Sequence, residues 1–112
     1  MSFMYNLEYH QLEERIHNLL NLIEVYKFAI VTQNRKKAQH KIDIEHFISQ
    51  ELSSFSDVSM QRFSLPHYNY YQFLVKHSNH PIEELTIGNT IKYIEAIQRH
   101  LLDIHKTLSN FL

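Results

Sequence analysis

Histidine is the residue type whose abundance in this chain could support chemistry. The 112 residues include nine histidines, and imidazole binds metal ions and exchanges protons near neutral pH. Glu14 and His17 have the Glu-x-x-His spacing that ligates metal in di-iron helical bundles, and His10 shares their helical face. That face lies about 200° around the helix from its apolar stripe, and the sequence has no second Glu-x-x-His. The pattern therefore predicts solvated side chains, with no metal site and no cofactor.

Three further histidines have weaker spacing for a site. His77 and His80 form a His-x-x-His next to Pro81, which is typical of a polar loop and could bind Zn²⁺ only with a carboxylate such as Glu83. His105 falls at the edge of an apolar stripe and is expected to be a boundary residue. One alternative function stays open, namely a His-rich helical enzyme that binds a metal or cleaves RNA.

Two segments have an arginine five residues before a histidine. Arg35 precedes His40 in this way, and Arg62 precedes His67. The spacing resembles that of HEPN-class helical RNases, in which an Arg and a His act at a dimer interface. In that family the motif lies on a late helix, whereas Arg35 opens the second helix and Pro66 interrupts the other copy. No catalytic role is carried over to these residues.

Four cations lie close together in the segment 35–41. Arg35, Lys36, Lys37 and Lys41 are candidate phosphate contacts, and they define a second alternative, a nucleic-acid binder. The formal net charge is −1, and the segment has no interleaved aromatic residues. A solvated turn is the favoured interpretation, so we do not expect nucleic acid as the partner.

The segment 63–73 is rich in aromatic residues around Pro66. Tyrosine provides a large contact area at low entropic cost and is common at protein interfaces. In a helix that starts at Pro66, Tyr70, Phe73 and Leu74 can face inward. The candidate partner-binding residues of this segment are His67, Tyr68, Tyr70 and Tyr71.

The helices that position these residues follow from apolar periodicity. A heptad stripe predicts a first helix over about 4–32, long enough to need a partner along its length. The stripe consists of Tyr5, Tyr9, Leu12, Ile16, Leu19, Ile23, Tyr26 and Ile30. Asn34 is a candidate cap for a second helix over about 36–53, with Asp43, Glu45 and Glu51 between its apolar positions.

The apolar positions of the second helix are Ala38, Ile42, Ile44, Phe47, Ile48, Leu52 and Phe55. A short third helix is predicted over about 66–77. The last helix follows Pro81 and carries the stripe Ile87, Ile91, Ile94, Ile97, Leu101, Ile104, Leu108 and Phe111.

We predict an all-α fold in one domain, 1–112: an antiparallel bundle of about four unequal helices (long, medium, short, long). A homodimer is expected to cover the excess stripe.

Composition excludes several classes of protein. One glycine leaves no room for a phosphate-binding loop, and the absence of cysteine excludes disulfides, thiolate metal sites and a cysteine nucleophile. No membrane span or signal peptide is apparent, so a cytoplasmic protein is expected. The scarcity of Gly and Ala beside abundant Ile, Asn and Tyr indicates AT-rich coding, as in a phage or mobile element.

The sequence therefore favours a small non-enzymatic helical module that binds another protein. Inhibitors, antitoxins, immunity proteins and chaperone-like proteins have this general build. The comparison with these classes is an analogy that rests on the general build alone.

Overall fold

The computed structural model describes residues 2–55, 65–79 and 87–112, with side chains from residue 9 onward and excluding that of residue 87. These ranges form four α-helices and contain no β-strand: α1 (Ser2–Val31), α2 (Lys37–Phe55), α3 (Leu65–Asn79) and α4 (Ile87–Ser109). The predicted all-α fold and the order long, medium, short, long are confirmed. Predictions that concern Tyr5, Arg62, His80, Pro81 and Glu83 lie outside the described side chains.

The heptad stripe of α1 is the centre of the core. Its members from Leu12 to Ile30 are between 0 and 6% exposed, as the spacing predicts. A helix of this length spans about 45 Å, and the longest dimension of the molecule is 48 Å. The α1 helix therefore sets the length of the bundle, and α2 and α4 pack along it.

The four helices enclose the core as a ring. The α1 helix packs against α2 and α4, and α3 packs against the same two helices. Five positions of the predicted α4 stripe complete the interior: Ile94, Ile97, Leu101, Ile104 and Leu108. One chain thus covers the α1 stripe from Leu12 onward, so the stripe itself leaves nothing there for a second copy to cover. The homodimer stays a prediction.

Four residues differ in exposure from the prediction based on the apolar and polar faces. Ala38 and Ile42 lie on the outside of α2, and Ile42 is 54% exposed, because the packed face of α2 runs through Ile44 and Ile48. Phe111 lies beyond the end of α4 and is 39% exposed. In contrast, Glu51, expected between the apolar positions, is only 9% exposed.

The turn between α1 and α2 is closed by backbone hydrogen bonds. The Asn34 amide donates to the Ala29 carbonyl at 2.8 Å, and the Gln33 amide donates to the Ile30 carbonyl at 3.1 Å, which together form a Schellman motif. Gln33 has a φ of 54°, the left-handed conformation that glycine adopts without strain. The Asn34 Oδ1 accepts the Lys36 amide at 2.8 Å, so Asn34 caps the start of α2 as predicted.

Replacing Gln33 with glycine should stabilise the protein. Glycine removes the strain of the left-handed conformation, which outweighs its greater freedom in the unfolded chain, and we expect a gain of about 0.5–1 kcal/mol in the free energy of unfolding. Urea denaturation monitored by circular dichroism measures this change. The matched control is Ala38→Gly, an exposed helical position, where the same residue should cost about 1 kcal/mol. A loss of stability in Gln33→Gly would contradict this account of the turn.

Candidate functional site

An aromatic and apolar surface lies where α1 and α3 begin and α4 ends. The Tyr9 ring centroid is 5.6 Å from that of His67 and 5.3 Å from that of Phe111. These contacts bring the three chain segments together. We call this surface the aromatic end, and it comprises Tyr9, Leu65, His67, Tyr68, Phe111 and Leu112.

The α3 helix positions the exposed part of the aromatic end. Pro66 is buried in the first turn, a position where proline fits a helix without losing a hydrogen bond. Leu65 and Tyr68 are three residues apart, so they share the outer face, and they are 57% and 43% exposed. Phe111 and Leu112 follow α4 and are 39% and 45% exposed. Large apolar side chains are therefore presented to solvent from two segments of the chain.

The four residues that the sequence nominated for partner binding separate in the structure. Tyr68 is exposed, while His67 and Tyr71 are half-buried, and the Tyr71 ring packs 5.8 Å from that of Phe55. Tyr70 is fully buried, so the nomination of Tyr70 as a surface contact is corrected. The reason is the helical period, which turns Tyr70 toward α2 when Tyr68 faces outward.

An ionic network around the buried Glu51 joins α1, α2 and α3. The Tyr70 hydroxyl donates to Glu51 Oε2 at 2.9 Å, and Arg15 Nε lies 3.2 Å from the same oxygen. Arg15 Nη2 also donates to Ser54 Oγ at 2.7 Å. A buried carboxylate is costly unless it is paired and hydrogen-bonded, and here α1 and α3 each supply one partner. The network therefore fixes the register of three helices.

Burial and the neighbouring Glu51 both affect the pKa of Tyr70. Burial, together with the negative charge of Glu51, raises the pKa of Tyr70 far above its ordinary value of 10.0. Tyr70 thus stays protonated in the folded protein under conditions in which an exposed tyrosine ionises. This hydroxyl is a structural donor to Glu51 and is enclosed by protein.

Tyr70 should make stability fall in alkaline solution. Because its pKa is raised in the folded state, the unfolded chain loses its proton first, and the stabilisation is lost as pH rises above about 10. The Tyr70→Phe variant should lose about 2 kcal/mol at neutral pH, since the hydrogen bond to a charged group disappears, but should fall less steeply at high pH. Urea unfolding at pH values of about 8 and 10.5 tests both expectations. Tyr68→Phe is the control and should follow the wild type.

The predicted phosphate contacts lie at the other end of α1. Arg35, Lys36 and Lys37 are exposed in the turn and at the start of α2. Lys41 is half-buried one helical turn after Lys37. The four cations can reach one surface, but their role in nucleic-acid binding stays a prediction.

The histidines of the Arg-to-His spacing and of the Glu-x-x-His pattern differ in their burial. His10, Glu14 and His17 are exposed on the outer side of α1, as expected from their distance around the helix from the stripe. His40 is half-buried near the start of α2. The partner of His77 in the His-x-x-His pattern lies outside the described residues.

The structure instead joins His17 with two residues that the sequence did not connect. His105 Nε2 lies 3.3 Å from Glu13 Oε2, and the rings of His17 and His105 are 4.8 Å apart. Glu13 and His17 are four residues apart on α1, while His105 comes from α4. Sequence spacing contains no signal for this trio, because one of its members is 88 positions further along the chain than His17.

A polar groove lies between α3 and α4. It has a volume of about 300 Å³ and is lined by Asn69, Gln72, His100, Asp103, Ile104 and Thr107. Burial and the nearby positive charge of Lys76 lower the pKa of His100, so its imidazole is neutral at pH 7. A neutral imidazole beside a carboxylate can accept a proton, although the groove shows no nucleophile paired with it among its lining residues.

No protein-family model, curated protein or solved structure matches this chain. Among the described residues, no helix combines the length and apolar character required to cross a bilayer.

The pKa of His100 gives a direct test of the groove. We expect a value below the ordinary 6.5, and Lys76→Gln should raise it because a neighbouring positive charge is removed. The unfolded chain binds this proton more readily, so His100 costs stability as pH falls below its ordinary pKa. An NMR titration of the imidazole carbon-bound protons measures the shift. Lys36→Gln, an exposed lysine in the α1–α2 turn, is the control, and an equal effect from both variants would contradict the assignment.

Proposed function

We propose that this chain is a small helical module that binds another protein through the aromatic end. The observation that carries the proposal is the exposure of Leu65, Tyr68, Phe111 and Leu112 at one end of the bundle, between 39 and 57%. Clustered exposed apolar side chains are typical of interaction sites, and aromatic residues are enriched in such sites.

The part of α3 that carries Tyr68 is held in place by its neighbouring residues, which favours tight binding. Tyr70 and Glu51 are locked by hydrogen bonding just inside α3, and Tyr71 packs on Phe55. A preformed surface loses little conformational entropy when a partner docks. The matching partner surface is apolar, with acceptor groups at its margin for the hydroxyl of Tyr68.

The proposal includes an antiparallel arrangement of the helices. Tyr9 near the start of α1 meets Phe111 after α4, and Gln98 Nε2 donates to Glu24 Oε2 at 2.6 Å further along. The residue numbers rise on α1 while they fall on α4, which supports this arrangement. It places the start of α1 and the end of α4 together and so forms the aromatic end.

We infer that the module acts by binding rather than by catalysis, as an inhibitor, antitoxin, immunity or chaperone-like protein would. A location in the cytoplasm is part of the same proposal. The proposed occupant of the aromatic end is another protein, and the test below separates it from a second copy of the chain.

Photo-crosslinking in the cells that naturally contain the protein tests the surface. A photoreactive phenylalanine analogue at position 68 should yield one discrete adduct, because that side chain faces the partner. The matched control places the analogue at position 28, where Phe28 is 67% exposed on α1, and should yield no such adduct. The mass of the adduct distinguishes a second copy from another protein.

Affinity measurements complete the test once the partner is isolated. Tyr68→Ala should weaken binding at least about tenfold, as expected for a central aromatic contact. Phe28→Ala should leave the affinity unchanged. Equal adducts at both positions, or a Tyr68→Ala variant that binds as the wild type does, would refute the proposed surface.

A further inference from the structure

We propose that Glu13, His17 and His105 form a zinc-binding site that joins α1 to α4. One ligand atom from each of the three side chains lies within 4.8 Å of the other two. Two imidazole nitrogens and one carboxylate oxygen form a donor set suited to Zn²⁺, whereas Mg²⁺ and Ca²⁺ prefer oxygen ligands. This site is independent of the aromatic end.

The distances fit one ion after a small movement. Zinc bonds to nitrogen and oxygen are about 2.0–2.2 Å, so two ligands in a tetrahedral site are about 3.3–3.5 Å apart. His105 Nε2 and Glu13 Oε2 already have this separation, at 3.3 Å. No separation within the trio exceeds 4.8 Å, so His17 must approach by at most about 1.5 Å, and its exposed side chain can do so by a small change of its torsion angles.

The environment of His105 supplies a second observation. Its Nε2 is closed to solvent and has no hydrogen-bond partner in the described part of the chain, because the nearby Glu13 oxygen is not aligned for a hydrogen bond. A buried polar atom left in this way is costly. A metal ion between the two side chains would satisfy the nitrogen lone pair and the carboxylate together.

The backbone that carries the three ligands is fixed by the core, whereas the side chain of His17 is exposed and free to adjust. Glu13 and His17 stand on adjacent turns of α1, whose opposite face is buried in the core. His105 follows Ile104, which is 4% exposed, so the α4 backbone is fixed there as well. Three protein ligands leave a fourth position for water, as in open zinc sites.

Direct titration with Zn²⁺ tests the site. Protein produced without a histidine tag and freed of metal with a chelator should bind one Zn²⁺ per chain, and saturating zinc should raise the thermal unfolding midpoint by about 5 °C or more. His17→Gln and His105→Gln should each weaken binding at least about tenfold, the loss typical of removing a metal ligand or its support. His46→Gln removes an exposed histidine on α2, a helix that supplies none of the three ligands, and should bind as the wild type does.

The His17→Gln variant separates a zinc site from a simple ion pair. It leaves Glu13 and His105 in place and replaces an exposed side chain, so the fold, checked by circular dichroism, should be unchanged while zinc binding is lost. Co²⁺ gives an independent readout, since a site of low coordination number produces visible absorption that the variant should lack. Fewer than about 0.2 zinc ions per chain, or unchanged affinity in both ligand variants, would overturn the proposal.

Discussion

The constraint on which this structure depends is the need to cover one long apolar stripe. The α1 helix extends over the length of the molecule, and its stripe residues from Leu12 to Ile30 are almost completely removed from water. A single neighbouring helix covers only one side of such a stripe, so α2 and α4 flank it and α3 closes the ring. Burial of apolar surface contributes about 25 cal/mol per Å², and this interior is therefore the main source of stability.

The buried charge of Glu51 adds specificity to an interior that is otherwise apolar. Apolar contacts tolerate a shift of one helix along another, because neighbouring Leu and Ile side chains are nearly equivalent. Arg15 and Tyr70 must both reach the same carboxylate, and a shift by one helical turn would leave that charge unpaired inside the protein. The network thus ties the aromatic end to the core, and the surface that we propose for a partner inherits its rigidity.

Both proposed sites arise at junctions between segments that are distant in the chain. The aromatic end collects residues from α1, the start of α3 and the residues after α4. The zinc ligands come from α1 and α4, with Glu13 one turn after Tyr9. A helix contributes only one or two side chains to a given spot on the surface, so a helical bundle builds its sites where neighbouring helices meet.

Local patterns in the sequence determined the four helices and the buried face of α1. They also determined the inward positions Phe73 and Leu74 and the cap at Asn34. These features are local because helical period and capping depend on residues a few positions apart. Tertiary structure alone decided the burial of Glu51, since its partners are 36 positions earlier and 19 positions later in the chain. It also decided the exposure of Ile42 and the meeting of His17 with His105, which depend on how each helix is rotated against its neighbours. A one-dimensional pattern fixes which face of a helix is apolar, but the rotation and register that bring distant polar groups together are set only when all four helices share one core.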